Sequence, residues 1–374
     1  FVSILIYIVF FFGSYGIAKL YDKPELVLLT KILALQFIIL AFNITQRVQL
    51  TKVIDFKTLT LFRIVSGLLS FGVAISMALQ GFGVWAIVGQ LLSQKILSVI
   101  LLGFKIKWQP KFVFSISSFK KFAGFGFKVT ANSFLNYLSR NFDNFVIGKF
   151  IGDSSLGIYS KAYGIILFPI KNFSEVIKKV LFPSFSLIQT SVSDVKAYYL
   201  KVTHLTAFVV FPVMALAIIQ AENLVLILLG HAWVAMVPLM KIFGLLGMVQ
   251  SVLTVNATIY LSQGRPGLAF KVGLFSKSVI ILGIVVGLYV DGLMGVAYGL
   301  LAAQIINFYP VFTTAAKLID LTLKEQVVNL KVTVFSLICA SLPTYFLTIY
   351  VEASRLVEII CVSGVFTLVY LLIS

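Results

Sequence analysis

The stretch LLTKILALQFIILAFNITQRVQL, residues 28–50, carries no charged side chain between Lys31 and Arg47, and its apolar residues fall on every face of a helix. A helix that is apolar all round needs an apolar solvent, and about 20 such residues at roughly 1.5 Å each span the hydrocarbon core of a bilayer. The pattern recurs in PLMKIFGLLGMVQSVLTVNATIY, residues 238–260, which places Lys241 over Lys31. The segments that follow also correspond: GFGVWAIVGQ from residue 81 meets GLMGVAYGLLAAQ from residue 292 after a small shift. Each unit reads as helix, polar turn, helix, tight glycine turn, helix. Both start on the same side by loop charge, so the repeats are parallel, as in transporters whose two bundles are related by an axis along the membrane normal.

Composition agrees with lipid as the solvent. The 374 residues are 60% hydrophobic, with 35 Phe, and 11% charged; ordinary soluble domains carry roughly 25% charged residues. The fold class expected is an all-α polytopic membrane protein. A net charge of +17 in a soluble chain would point to nucleic acid. Here it is explained by basic loops against anionic lipid, and no nucleic-acid partner is implied. Cys339 and Cys361 both lie in apolar segments, which excludes a disulfide scaffold and offers no metal motif.

Twelve spans are expected, at about 1–20, 27–46, 59–80, 84–104, 122–148, 155–187, 203–227, 235–261, 267–290, 294–316, 329–350 and 355–373, the sixth interrupted by Pro169. Loop charge checks the count. Arg47, Lys52, Lys57, Arg63, Lys105, Lys107, Lys111, Lys120, Lys121, Lys178, Lys179, Lys196, Lys201, Arg265, Lys271, Lys317, Lys324 and Lys331 all follow even-numbered spans. Loops after odd spans carry only Lys19, Lys23, Lys149 and Arg355. By the positive-inside rule, the even loops and both ends of this chain are expected to be cytoplasmic. The outward turns at Gly81, Phe82 and Gly83 and at Asp291 and Gly292 leave room only for tight hairpins and exclude an external domain.

The expected organisation is a partial N-terminal bundle of four helices at 1–104, a basic cytoplasmic linker at 105–121, a C-terminal bundle of six helices at 122–316, and two additional helices at 317–374. Three spans precede the second repeat copy but only one precedes the first. The chain therefore reads as partial, with about two further spans, or roughly 80 to 100 residues, expected upstream and fourteen helices when complete.

Soluble-enzyme signatures are absent: there is no Walker loop, dinucleotide fingerprint, zinc spacing or G-x-S-x-G elbow, and no cofactor is called for. His204 and His231 fall near span ends and read as interfacial. The anomaly is FAGFGFKVTANSFLNYLSRNFDNFVIGKFIG, residues 122–152, which crowds Lys128, Asn132, Asn136, Arg140 and Asp143 into one crossing. One Arg or Lys at mid-membrane costs roughly 2.5 to 3.5 kcal/mol on the insertion scale, so this set must face protein or water. Lys128, Asn132, Asn136 and Arg140 recur at helical spacing as one stripe, and Asp143 lies within reach of Arg140. The stripe reads as the wall of a hydrated cavity for an anionic substrate, or else as a buried network in which Arg140 and Asp143 lock helix ends. Lys31 and Lys241, matched by the repeat, and Lys161 are further cavity candidates; Arg63 and Lys95 read as interfacial anchors. Asp143 and Glu175 are the only deep carboxyls that could couple transport to an ion.

The run NYLSRNFDNFVIGKFIGDSSLGIYSKAYGIILFPIKNFS from residue 136, followed by KVLFPSFSLIQ and LILLGHAWVAMVPLMKIFGLLGMVQS, resembles the polysaccharide transporter family of lipid-linked oligosaccharide flippases. These belong with the O-antigen flippases in the multidrug/oligosaccharidyl-lipid/polysaccharide superfamily. The segment TKILALQFIILAFNITQRVQLTKVIDFKTLTLFRIVSG through GFGVWAIVGQ looks like that family's N-lobe from its third helix onward. The resemblance implies two pseudo-symmetric bundles around a central cationic cavity and fourteen helices in the complete protein. It implies transport of an undecaprenyl-pyrophosphate-linked O-antigen, capsule or exopolysaccharide unit, with the polymerase and glycosyltransferases of the same pathway as partners. Two other readings compete. An exporter of another amphiphile, such as a peptidoglycan lipid precursor or a drug, fits the spans, although a cation exporter should prefer acidic residues. A polytopic glycosyltransferase or polymerase needs an external catalytic loop, and a membrane scaffold leaves the polar stripe unexplained.

Overall fold

The structure, a computed structural model, describes residues 2–52, 55–106, 116, 130, 133–134, 137–188, 191–350 and 355–373. The chain divides into two compact units, Phe1–Lys128 and Val129–Ser374. Among the described residues both are helical throughout, with no strand.

The first unit contains α1 (Val2–Tyr21), α2 (Leu26–Lys52), α3 (Phe56–Leu79) and α4 (Val84–Lys105). The first repeat copy forms α2, which packs on α1, α3 and α4, while α3 and α4 pair as a hairpin. Phe10 of α1 stacks on Phe37 of α2 at 5.4 Å between ring centres. Asp55 caps α3: its carboxylate accepts the Thr58 N–H at 3.1 Å and the Thr58 hydroxyl at 2.7 Å. Those bonds hold the Asp55 carboxyl below its ordinary range, so the charged cap persists above the usual titration point and is lost as pH falls through the lower value.

The second unit contains α5 (Phe142–Phe150), α6 (Asp153–Leu187), α7 (Val192–Ile219), α8 (Ala221–Leu228), a 3₁₀ turn at His231–Met236, α9 (Val237–Ser262), α10 (Pro266–Ala316), α11 (Leu323–Tyr350) and α12 (Arg355–Ile373). The second repeat copy forms α9, and it is again the central helix, in contact with α6, α7 and α10. Ile147, Tyr159, Met214, Leu239, Phe243 and Leu246 make the core around it, each nearly inaccessible. Towards one end, α11 is tied to α7. Lys196 meets Glu325 at 2.6 Å, and the Asn329 amide donates to the Leu200 carbonyl at 2.9 Å. Thr322 and Glu325 form a capping box that starts α11, each satisfying the other's backbone N–H region.

The glycine turns work as the repeat requires. Gly83 begins α4 at φ 53°, ψ −124°, and within α10 the helix breaks at Asp291 and at Gly292 with φ 50°, ψ −124°. This conformation is that of the first central residue of a type II′ turn, which an L side chain rarely adopts. Beyond the break α10 folds back on itself: a Cβ built on Gly287 would meet the Gly295 backbone, so the two halves touch main chain to main chain.

Large apolar side chains such as Phe12, Leu68, Leu79, Tyr289, Val290 and Leu372 point outward. Nine helices among the described residues are long and apolar enough to cross a membrane, and one of these is α10, whose break makes it a hairpin. The chain is thus an all-α, multi-pass membrane protein. Three expectations need correction. The span at 203–227 begins earlier, at Val192, and breaks at Gln220. Pro169 does not interrupt α6, which is continuous; in membrane helices neighbouring segments re-satisfy the carbonyl that proline frees. In the fifth span the helix stops at Asn141, whose side-chain amide turns back to the Tyr137 carbonyl at 2.9 Å, and α5 starts afresh.

Candidate functional site

Polar side chains inside membrane helices must find water or one another, so the partners of each one mark where a site can form. Lys128, Asn132 and Asn136, the first part of the expected stripe, lie outside the described residues. Arg140 is exposed. Asp143 is 7% exposed, and it is not paired with Arg140 as the spacing suggested. Its carboxylate accepts instead from the Tyr159 hydroxyl at 2.9 Å and from the Asn144 N–H at 2.8 Å. The break at Asn141 is the reason: it rotates α5 away from the register that would stack Asp143 over Arg140. Tyr159 is fully buried and edge-on to Phe243, whose ring also meets Tyr163. Asp143 therefore belongs to a buried polar knot between α5, α6 and α9, with the carboxylate satisfied by neutral donors.

Lys31 is held by aromatic groups of α1. Its ammonium donates to the Tyr15 hydroxyl at 3.1 Å and stands 4.4 Å from the ring centres of both Phe11 and Tyr15. At such a partly exposed position a cation–π contact contributes about 0.5 to 1 kcal/mol. Lys241 is exposed on α9. Lys161 is exposed on α6 with its ammonium 6.0 Å from the Trp233 ring centre. Glu175 lies on α6. Among the described residues, none of these expected site groups bonds to another.

What sequence reasoning missed is a cavity inside the first unit. About 300 Å³ in volume, it opens between α2, α3 and α4 and is lined by Asn43, Arg47, Arg63, Ser66, Gln94, Lys95 and Ser98, with Leu40, Leu59, Phe62 and Leu102 completing the wall. Helical spacing brings these groups together: Asn43 and Arg47 lie four apart on α2, Arg63 and Ser66 three apart on α3, Gln94 and Ser98 four apart on α4. Asn43, buried, donates to the Ser98 hydroxyl at 3.5 Å across the helix gap. Arg47 and Arg63 are exposed and Lys95 is half-buried. No carboxylate lines this cavity among the described residues, and none of the three cations is in an ion pair there. The signal was available in the i, i+3 and i, i+4 recurrence of polar residues on three consecutive apolar helices. Each cation viewed singly is close enough to a helix end to pass for a snorkelling anchor.

No cluster of His, Cys, Asp and Glu among the described residues could hold a metal ion. The cavity is lined by cations and neutral polar groups. It offers cations and hydrogen-bond donors to an anion at membrane depth.

Comparison with known proteins follows the same line. Residues 1–238 match the family described as polysaccharide biosynthesis protein. The chain is 30% identical to "Teichuronic acid biosynthesis protein TuaB" of Bacillus subtilis (strain 168), over 72% of this chain and 56% of that protein. It is 26% identical to "Lipopolysaccharide biosynthesis protein WzxC" of Escherichia coli (strain K12), over 82% of this chain and 62% of that protein. The chain thus spans about three fifths of the length of these two curated relatives. Among solved structures, the "Lipid II flippase MurJ, inward closed conformation" superposes with a TM-score of 0.76 over 100% of this chain and 80% of that one, at 15% identity. The two proteins share a fold.

Proposed function

The chain belongs to the polysaccharide biosynthesis protein family, and from that premise we propose that it is a transporter that moves a lipid-linked anionic oligosaccharide across the membrane without breaking a bond. The substrate class is an undecaprenyl-pyrophosphate-linked repeat unit of O-antigen, capsule or exopolysaccharide. The observation that carries this reading is the likeness of the whole chain to a lipid II flippase fold, in a family whose relatives are named for the biosynthesis of surface polysaccharides.

Physical chemistry supports it. A glycan and a pyrophosphate cannot enter hydrocarbon unaided, while a polyprenyl tail is at home there. A carrier must offer cations to the head and leave the tail in lipid, and the basic cavity candidates Lys128, Arg140, Lys31 and Lys241 favour an anion over a cationic drug. In this reading the chain makes twelve crossings of the cytoplasmic membrane, with both of its ends inside, and alternating access carries the head across. The domains are a partial N-terminal bundle at 1–104, the basic linker at 105–121, the bundle at 122–316 and the helix pair at 317–374. Lys128, Asn132, Asn136, Arg140, Lys31, Lys241 and Lys161 contribute to substrate binding, and Asp143 or Glu175 to coupling. The polymerase and glycosyltransferases of the pathway would act on either side of the transport step.

The test is genetic. Cells lacking the gene should accumulate the lipid-linked glycan on the cytoplasmic face, shielded from an impermeant glycan-labelling reagent, and the restored gene should return it to the outside. Unchanged outside labelling in the deletion strain would refute the proposal.

A further inference from the structure

The cavity between α2, α3 and α4 is not used by the sequence-derived site, yet it has the properties of a binding site. It lies at the end of the first unit where α2 passes to α3. Lys95 is ten residues from the end of α4 at Lys105, so the cavity runs about 15 Å inward from the helix end. Arg47, Arg63 and Lys95 bring three positive charges to one small volume with no lining carboxylate among the described residues. Like charges at such range repel, and folding does not place them together without a counter-charge or water to screen them. Asn43, Ser66, Gln94 and Ser98 add neutral hydrogen-bonding groups, and Leu40, Leu59, Phe62 and Leu102 supply apolar wall.

We propose that this cavity binds the phosphate-bearing head of an amphiphile. The two guanidinium groups match phosphate oxygens in forked geometry, the ammonium adds a compact charge, and the leucines and Phe62 accept the first carbons of the tail. Basic pockets between membrane helices on the cytoplasmic side hold anionic lipid heads in this manner. Two sources carry the same chemistry: a phospholipid of the surrounding leaflet, or the pyrophosphate of a polyprenyl-linked cargo. The site itself rests on the geometry of the cavity, and only the second source rests on the proposed transport function.

The experiment uses the purified full chain in neutral detergent, with native mass spectrometry to measure binding of dioctanoyl phosphatidylglycerol and farnesyl pyrophosphate against their uncharged counterparts, dioctanoylglycerol and farnesol. At least one phosphate-bearing probe should bind about tenfold more tightly than its uncharged counterpart, and R47Q/R63Q/K95Q should weaken it by about tenfold or more, the loss of one charge-assisted hydrogen bond. The charge-matched variant K317Q/K324Q/K331Q, on the second unit, should leave it within about twofold, as expected where only screened long-range charge is lost. Binding of phosphatidylglycerol alone identifies a membrane lipid, and binding of farnesyl pyrophosphate alone identifies the cargo head; either supports the site. If the triple variant does not fold, R63Q and K95Q singly must each weaken binding. Equal binding of charged and uncharged probes, or unchanged binding by the cavity variants, overturns the proposal. A chain that binds but does not transport leaves the cavity site standing and removes only the transport reading.

Discussion

Gly83 and Gly292, one repeat length apart in sequence, hold the same backbone conformation, φ 53° and ψ −124° against φ 50° and ψ −124°. Each closes a hairpin of two membrane helices, and each hairpin follows the central helix of its unit. Glycine is needed at both because a Cβ in this region of conformational space is strained. Gly83→Ala and Gly292→Ala should each lower stability by about 1 to 3 kcal/mol. Gly13→Ala, in mid-helix with open space around it, should instead be neutral or slightly stabilising. Thermal unfolding in detergent compares the three, and equal stability of all of them would remove the turn argument.

The repeat explains how much of the fold could be read from sequence. Residues 28–50 and 238–260 align without a gap, and the structure makes them α2 and α9, the central helices of the two units. Gln46 and Asn256 fall at matched positions, and both are buried amides. The tight turns were equally legible, because glycine in a short polar break between apolar runs has few other meanings. The sites were harder. Asp143 seemed paired with its neighbour Arg140, but its partner Tyr159 comes from the next helix, and side-chain direction is decided by the break at Asn141. Arg47, Arg63 and Lys95 sit on three helices, and their meeting is a fact of packing that no one-helix periodicity contains.

Inside the second unit, the Tyr199 hydroxyl donates to the Asn256 side-chain carbonyl at 2.6 Å, with both residues buried. Tyr199→Phe strands that acceptor and should cost about 1 to 3 kcal/mol. Tyr15→Phe, at an exposed position on α1, should cost far less. Comparable losses in a denaturation series would contradict the buried hydrogen bond between Tyr199 and Asn256.

Asp143 is a carboxyl that neutral donors satisfy, so Asp143→Asn, its oxygen accepting from the Asn144 N–H and its amide donating to the Tyr159 hydroxyl oxygen, should preserve the fold. If Asp143 couples transport to protons, the variant should lose the response of transport to an imposed pH gradient while remaining expressed. A response equal to the wild type would assign Asp143 a structural role alone.

Loop charge predicts that the turns at 82 and 291 face outward and that the segment around 110 faces the cytoplasm. Single cysteines in place of Phe82 and Asp291, in a background lacking Cys339 and Cys361, should react with an impermeant thiol reagent added to intact cells. A cysteine in place of Pro110 should not. Asp291 is chosen over Gly292 because the latter has the turn conformation that a side chain disfavours. Equal labelling at 82 and 110 would overturn the topology.

The most direct test of the central claim is reconstitution. The full gene product, placed in vesicles that carry an undecaprenyl-pyrophosphate-linked glycan on both leaflets, should make the inner pool accessible over time to an external, impermeant glycan-oxidising reagent. Lys128→Ala with Arg140→Ala should slow that exposure at equal protein incorporation, because the proposed function has both charges bind the anionic head. Exposure at the rate of protein-free vesicles would contradict the account.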